Sequence, residues 1–75
     1  MKINHVEKES IAASIGLKAG DRLEAIDGSR VKDIIDYRFK VTDENILLRV
    51  RQGGELKEYD IEKDADDTLG LGFDD

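Results

Sequence analysis

The side chains able to carry out acid–base, nucleophilic or metal chemistry are few in this 75-residue chain, and they lie apart in the sequence. His5 is the only histidine, cysteine is absent, and no serine or carboxylate has a partner base. Nucleophilic and general acid–base catalysis both need such a partner within hydrogen-bonding reach. Asp64, Asp66 and Thr68 mimic the start of a calcium loop, but Leu69 stands where that loop requires glycine. We therefore expect no catalytic residue, no metal site and no cofactor in this chain.

The acidic charge of the chain is concentrated at its C-terminal end. The formal net charge is -6, yet residues 1–59 hold eleven acidic and eleven basic side chains. Residues 60–75 hold seven acidic side chains against the single cation Lys63. An acidic chain is a poor partner for a phosphate backbone, and no apolar run approaches the ~20 residues of a membrane span. We therefore expect no nucleic-acid or membrane partner, and we expect a monomer. Because cysteine is absent, we expect a cytoplasmic location.

Turn and cap residues divide the chain into short elements. Residues 2–6 predict a first strand, and Ser10 is an N-cap residue for a short helix that stops at Gly16. Two hairpins are predicted, each around a two-residue turn that tolerates positive φ. They comprise residues 22–26 and 29–31 around Asp27-Gly28, and residues 45–52 and 55–62 around Gly53-Gly54. In the second hairpin, strand periodicity places Ile46, Leu48, Val50, Tyr59 and Ile61 on one face, which we expect to be buried.

A second helix is predicted from the N-cap residue Asp33 to about Lys40. Its apolar side chains fall on two stripes, one of Ile34, Tyr37 and Val41 and the other of Ile35 and Phe39. A helix in so small a domain normally buries one face. Ile35 and Phe39 are therefore expected to meet either the C-terminal tail or another protein surface.

The central part of the chain resembles bacterial-type PDZ domains over residues 3–61. The resemblance is carried by Val6, Ser10-Ile11-Ala12, Gly16-Leu17, Gly20-Asp21-Arg22-Leu23, Ile26-Asp27-Gly28 and Val31. It implies a mainly β (α+β) fold, a PDZ-like partly open barrel with two short helices. Residues 1–62 would form the PDZ-like core. Residues 63–75 would form an acidic tail, which is either a last strand or a linker to a following domain.

The order of elements departs from the usual arrangement of that family. In bacterial PDZ domains the carboxylate-binding loop precedes the pattern, whereas here its signature, Gly70-Leu71-Gly72-Phe73, lies at the far end. The resemblance thus implies a circular permutation in which the tail folds back as the missing strand. The backbone donors of residues 71–73 would then converge on a ligand carboxylate, and a peptide would add as a strand. There are two alternatives: the tail merely packs on the core, or it is disordered.

A more specific resemblance is to the N-terminal PDZ-like domain of bacterial radical-SAM-type iron–sulfur oxidoreductases. It is carried by Asp36-Tyr37-Arg38-Phe39, Glu62-Lys63-Asp64 and Leu69-Gly70-Leu71. It implies a non-catalytic docking module whose partner is the adjacent catalytic domain of a longer protein. The alternative is a free-standing or protease-associated module that binds peptide C-termini by strand addition.

The candidate binding residues come from the tail and from the second helix. They are Gly70, Leu71, Gly72, Phe73, Ile34, Ile35, Arg38 and Phe39. Arg38 lies at the rim of the groove that a PDZ fold would form, where its guanidinium would either hold a ligand carboxylate or neutralise the acidic tail. We favour the second role because seven acidic side chains lie in the last sixteen residues.

Overall fold

The computed structural model describes residues 1–73, in which six strands and two short helices alternate along the chain. In chain order the elements are β1 (Ile3–Val6), α1 (Ile11–Ser14), β2 (Arg22–Ile26), β3 (Ser29–Arg30), α2 (Ile34–Lys40), β4 (Asn45–Gln52), β5 (Glu55–Glu62) and β6 (Leu71–Phe73). This confirms the mainly β fold with two short helices. No helix in the described part of the chain is long and apolar enough to cross a bilayer.

Four of the strands form an antiparallel sheet in the order β3-β2-β4-β5. The β4–β5 hairpin pairs Gln52 with Glu55 and Ile46 with Ile61, which is the predicted register. The inner face of β4 is fully buried, whereas on the outer face Arg49 Nη2 lies 3.1 Å from Glu58 Oε2. The alternation of apolar and charged residues therefore selected the register, because a slip of one residue would bury the charged face.

The helices begin at the predicted cap residues. Ser10 Oγ accepts a hydrogen bond from Ala13 N at 3.1 Å, and Asp33 Oδ1 accepts one from Asp36 N at 2.8 Å. Each bond satisfies a backbone donor that a helix leaves free at its start. Gly20, at the corner that leads into β2, has φ +101°, a conformation that side chains with a Cβ rarely adopt.

A second, two-stranded sheet joins the two ends of the described chain, because β6 folds back and pairs antiparallel with β1. The backbone bond from Glu7 N to Gly70 O (2.9 Å) continues this contact toward α1. Leu69, just before β6, is completely buried, so the packed core reaches beyond residue 62 into the tail. The tail thus supplies a last strand, as the permuted arrangement requires.

Candidate functional site

A groove of about 600 Å³ lies between α2 and the tail segment that leads into β6. Its apolar lining comes from the first stripe of α2 and from the tail, namely Ile34, Tyr37, Val41, Leu69 and Leu71. Within residues 1–73, β6 pairs with β1 alone and therefore keeps one edge unpaired. Unpaired strand edges are sites where another extended chain adds.

The ring of Tyr37 holds α2 against the last strand. Its centroid lies 4.7 Å from that of Phe73 in an edge-on arrangement, and only 7% of Tyr37 is exposed. Burial raises the pKa of the Tyr37 hydroxyl to about 12, because the phenolate would lose its hydration. Tyr37 is thus neutral at physiological pH and acts as a packing residue of the groove floor.

The glycine-rich turn before β6 is held tightly against the start of α1. Gly70 has φ +84°, and a Cβ placed there would lie 2.4 Å from Ser10 Cβ. Its carbonyl accepts from Glu7 N, and the carbonyl of Leu69 accepts from Ala12 N at 3.0 Å. The backbone of this turn therefore cannot move without breaking bonds to two other segments. That its amides converge on a ligand carboxylate stays a prediction.

Arg38 lies on the groove lining and is exposed. Acidic side chains of Glu7, Asp66 and Asp67 line the same groove. Within residues 1–73, no ion pair joins Arg38 to a tail carboxylate. The favoured role of Arg38 as a neutralising partner of the tail thus has no support in the described residues, and Asp74 and Asp75 lie outside them.

Ile35 and Phe39 lie outside the groove. They are 72% and 81% exposed and, with Arg38 and Thr42, line a separate shallow depression of about 370 Å³. The tail as far as residue 73 does not cover them, so within the described chain the tail is not the neighbour that buries them. Helical periodicity correctly separated the two apolar stripes of α2. Which stripe faces the tail depends on the pairing of β6 with β1. The other neighbour expected for Ile35 and Phe39, the surface of another protein, stays a prediction.

The candidate residues from the sequence thus lie in three places: the groove, the packing beneath it, and the separate depression that holds Ile35 and Phe39. Ile34, Arg38, Gly70, Leu71 and Gly72 line the groove, whereas Phe73 packs beneath it on Tyr37. Residues that sequence reasoning did not assign to the site also line it: His5, Glu7, Val41, Asp66, Asp67 and Leu69. The first two belong to the segment that pairs with the tail, and only the register of that pairing brings them there. Within the described residues, no group of three or more potential ligands is placed to hold a metal ion.

Comparison with known proteins agrees with this geometry. A family model described as PDZ domain matches residues 2–52. Among solved structures, the chain is similar to the PDZ domain of the SdrC-like protein from Listeria monocytogenes. The two share 22% identity with a TM-score of 0.73, over 93% of this chain and 82% of that one, which is a likeness of fold. No curated protein matches the chain, and neither match concerns an iron–sulfur oxidoreductase.

Proposed function

The chain belongs to the PDZ domain family, and we propose that it is a non-catalytic interaction module which binds an extended protein segment in the groove between β6 and α2. The observation that carries this proposal is the unpaired edge of β6 beside the apolar stripe of α2. The segment would add to β6 as a further strand, so that backbone hydrogen bonds supply affinity. Its alternate side chains would enter the groove and supply specificity.

The dimensions of the groove set the expected affinity. A volume of about 600 Å³ accommodates a few side chains, and each buried Val or Leu contributes roughly 1.5–3 kcal/mol. The loss of translational, rotational and side-chain freedom on association offsets much of this gain. We expect dissociation constants on the order of 1 μM, equivalent to about 8 kcal/mol.

Two neighbouring isoleucines provide a matched test of this proposal. The probe is a library of displayed random decapeptides, half with free C-termini and half embedded as internal segments, from which binders to the chain are selected and synthesised. Ile34→Glu should abolish binding of the selected peptides, because Ile34 lines the groove. Ile35→Glu makes the same chemical change one position along α2, outside the groove, and should leave binding within twofold. Failure to select any peptide, or equal losses in both variants, would contradict the proposal.

We further propose that this module docks against the catalytic domain of a radical-SAM-type iron–sulfur oxidoreductase in the same, longer protein, which operates in the cytoplasm. The resemblance carried by Asp36-Tyr37-Arg38-Phe39 supports this context. So does the exposed pair of Ile35 and Phe39, which we call the docking patch. Two such large apolar side chains on one helical flank are a usual mark of a protein contact.

The domain context is tested first by the coding sequence that follows Asp75. A three-cysteine cluster motif within a few tens of residues would support it, and a stop codon would refute it. If the motif is present, the remainder of the protein is supplied as a separate chain and docking is measured. Ile35→Glu and Phe39→Ala should then weaken docking at least tenfold, whereas Ile34→Glu should leave it unchanged. The reverse order of effects would assign docking to the groove instead.

A further inference from the structure

The charges around the groove are unevenly placed. Glu7, Asp66 and Asp67 line it together with the cation Arg38, so that the lining carries a net charge of -2 with His5 neutral. The three acidic side chains are exposed to solvent and form no ion pair with a lysine or arginine of residues 1–73. In the described part of the chain, the one base within 4 Å of these carboxylates is His5, whose Nε2 lies 3.9 Å from Glu7 Oε1. Their charge is therefore available to a ligand.

The acidic side chains belong to the two segments that meet just before β6. Asp66 and Asp67 precede the turn that leads into β6, and Glu7 is bound to that turn through its backbone bond to Gly70 O. A ligand strand antiparallel to β6 brings its C-terminal end to the start of β6, since antiparallel partners run in opposite directions. The end of the ligand therefore arrives where negative charge is concentrated.

This placement disfavours a free terminal carboxylate at that end of the ligand. The one lysine of the acidic tail, Lys63, is 9% exposed, and its Nζ donates to the carbonyl of Asp64 at 3.2 Å. As far as residue 73, Arg38 is the single lysine or arginine that lines the groove, and Lys63 does not line it. Among the charged side chains of the lining, a carboxylate would thus face three like charges and one opposing charge, and this repulsion acts against the predicted convergence of the amides of residues 71–73 on a carboxylate. A cationic side chain would find three partners.

We propose that the groove selects a basic extended segment, with lysine or arginine just beyond the part that pairs with β6, and that it does so without needing a free C-terminus. This inference rests on the proposed function, because it specifies the ligand of the same groove. An internal segment continues past the start of β6 and places its cations among Glu7, Asp66 and Asp67. The occupant is therefore a basic loop or linker and not a terminal peptide.

Four synthetic peptides built on one selected core test this preference. The core is made with a free C-terminal carboxylate, with a C-terminal amide, with two added lysines and an amide, and with two added glutamates and an amide. At about 0.01 M salt, where charges interact over ~30 Å before they are screened, the lysine peptide should bind at least tenfold more tightly than the glutamate peptide. At about 1 M salt, where charges interact over only ~3 Å, the ratio of the two affinities should fall below about threefold. The free carboxylate should give no gain over the amide.

A pair of double variants assigns the preference to the groove. Asp66→Asn with Asp67→Asn should reduce the lysine-to-glutamate ratio at least threefold. Asp43→Asn with Asp60→Asn removes the same charge from exposed positions outside the groove. Measured at about 0.1 M salt, where charges act over ~10 Å, it should change the ratio less than the groove pair does. Equal ratios in the two double variants, equal binding of the lysine and glutamate peptides, or a tenfold gain from the free carboxylate would overturn the inference while leaving the interaction module intact. If the library yields no binder at all, the inference and the proposed function both fail.

Discussion

The ring of Tyr37 stands edge-on to the ring of Phe73, with centroids 4.7 Å apart and an angle of 66° between the planes. This contact joins the helix that forms one wall of the groove to the strand that offers its unpaired edge. Such aromatic pairs contribute roughly 0.5–1.5 kcal/mol beyond the area they bury. The packing of α2 on β6 thus includes a contact between residues far apart in the sequence.

Removal of one ring of this pair should destabilise the fold. Phe73→Ala is expected to lower the free energy of unfolding by about 2 kcal/mol, less than for a fully buried phenylalanine because Phe73 is half-buried. Phe39→Ala removes the same ring from a position that is 81% exposed, and should change the stability by less than about 0.5 kcal/mol. Urea unfolding of both variants measures the difference. Equal losses would show that the Phe73 ring does not stabilise the fold.

Stability should fall at high pH because Tyr37 is buried. Its pKa is raised to about 12, whereas a tyrosine in the unfolded chain ionises near pH 10. Between these values the folded state binds more protons than the unfolded state, so stability decreases by up to ~1.4 kcal/mol per pH unit. The contribution is fully present below pH 10 and is lost as the pH rises through 12. Unfolding measured from pH 8 to 12 should show this slope, and Tyr37→Phe should remove it; a slope that survives in Tyr37→Phe would belong to other groups.

The turn before β6 should not tolerate a side chain at Gly70. Gly70→Ala adds backbone strain at φ +84° and a Cβ that would lie 2.4 Å from Ser10 Cβ, so it should cost about 3 kcal/mol or more. Gly54→Ala is the matched control, because Gly54 has φ +88° with no atom within 4 Å of the added Cβ. It should cost about 1 kcal/mol from backbone strain alone. If thermal melting shows the same loss for both, the packing of Gly70 against Ser10 is not restrictive.

Local chemistry in the sequence was sufficient to predict most of the elements. Ser10 and Asp33 begin the two helices, and the glycine pair at residues 53–54 turns the long hairpin, because caps and two-residue turns depend on neighbouring residues alone. The first hairpin was predicted one residue too long, since β3 ends at Arg30. Val31 still donates to the carbonyl of Glu24 at 3.2 Å, so its burial continues the strand pattern after the ladder has ended.

The composition of the groove could not be predicted in the same way. It depends on β6 pairing with β1, which places His5 opposite Gly72 across most of the length of the chain. The spacing of Leu69, Leu71 and Phe73 indicated a strand but could not specify its partner. For the same reason, the helical wheel of α2 separated two apolar stripes without showing that the described tail covers the one that contains Tyr37 and leaves Phe39 exposed.

The central claim, that a ligand adds as a strand to β6 beside α2, is tested most directly by amide chemical shifts and amide hydrogen exchange of the ¹⁵N-labelled chain. The lysine-extended peptide is titrated to saturation. We expect shift changes at Leu71, Gly72 and Phe73 and on the groove side of α2, together with slower exchange of the β6 amides. Changes confined to the β4–β5 hairpin or to the docking patch, or no changes at millimolar peptide, would contradict the claim.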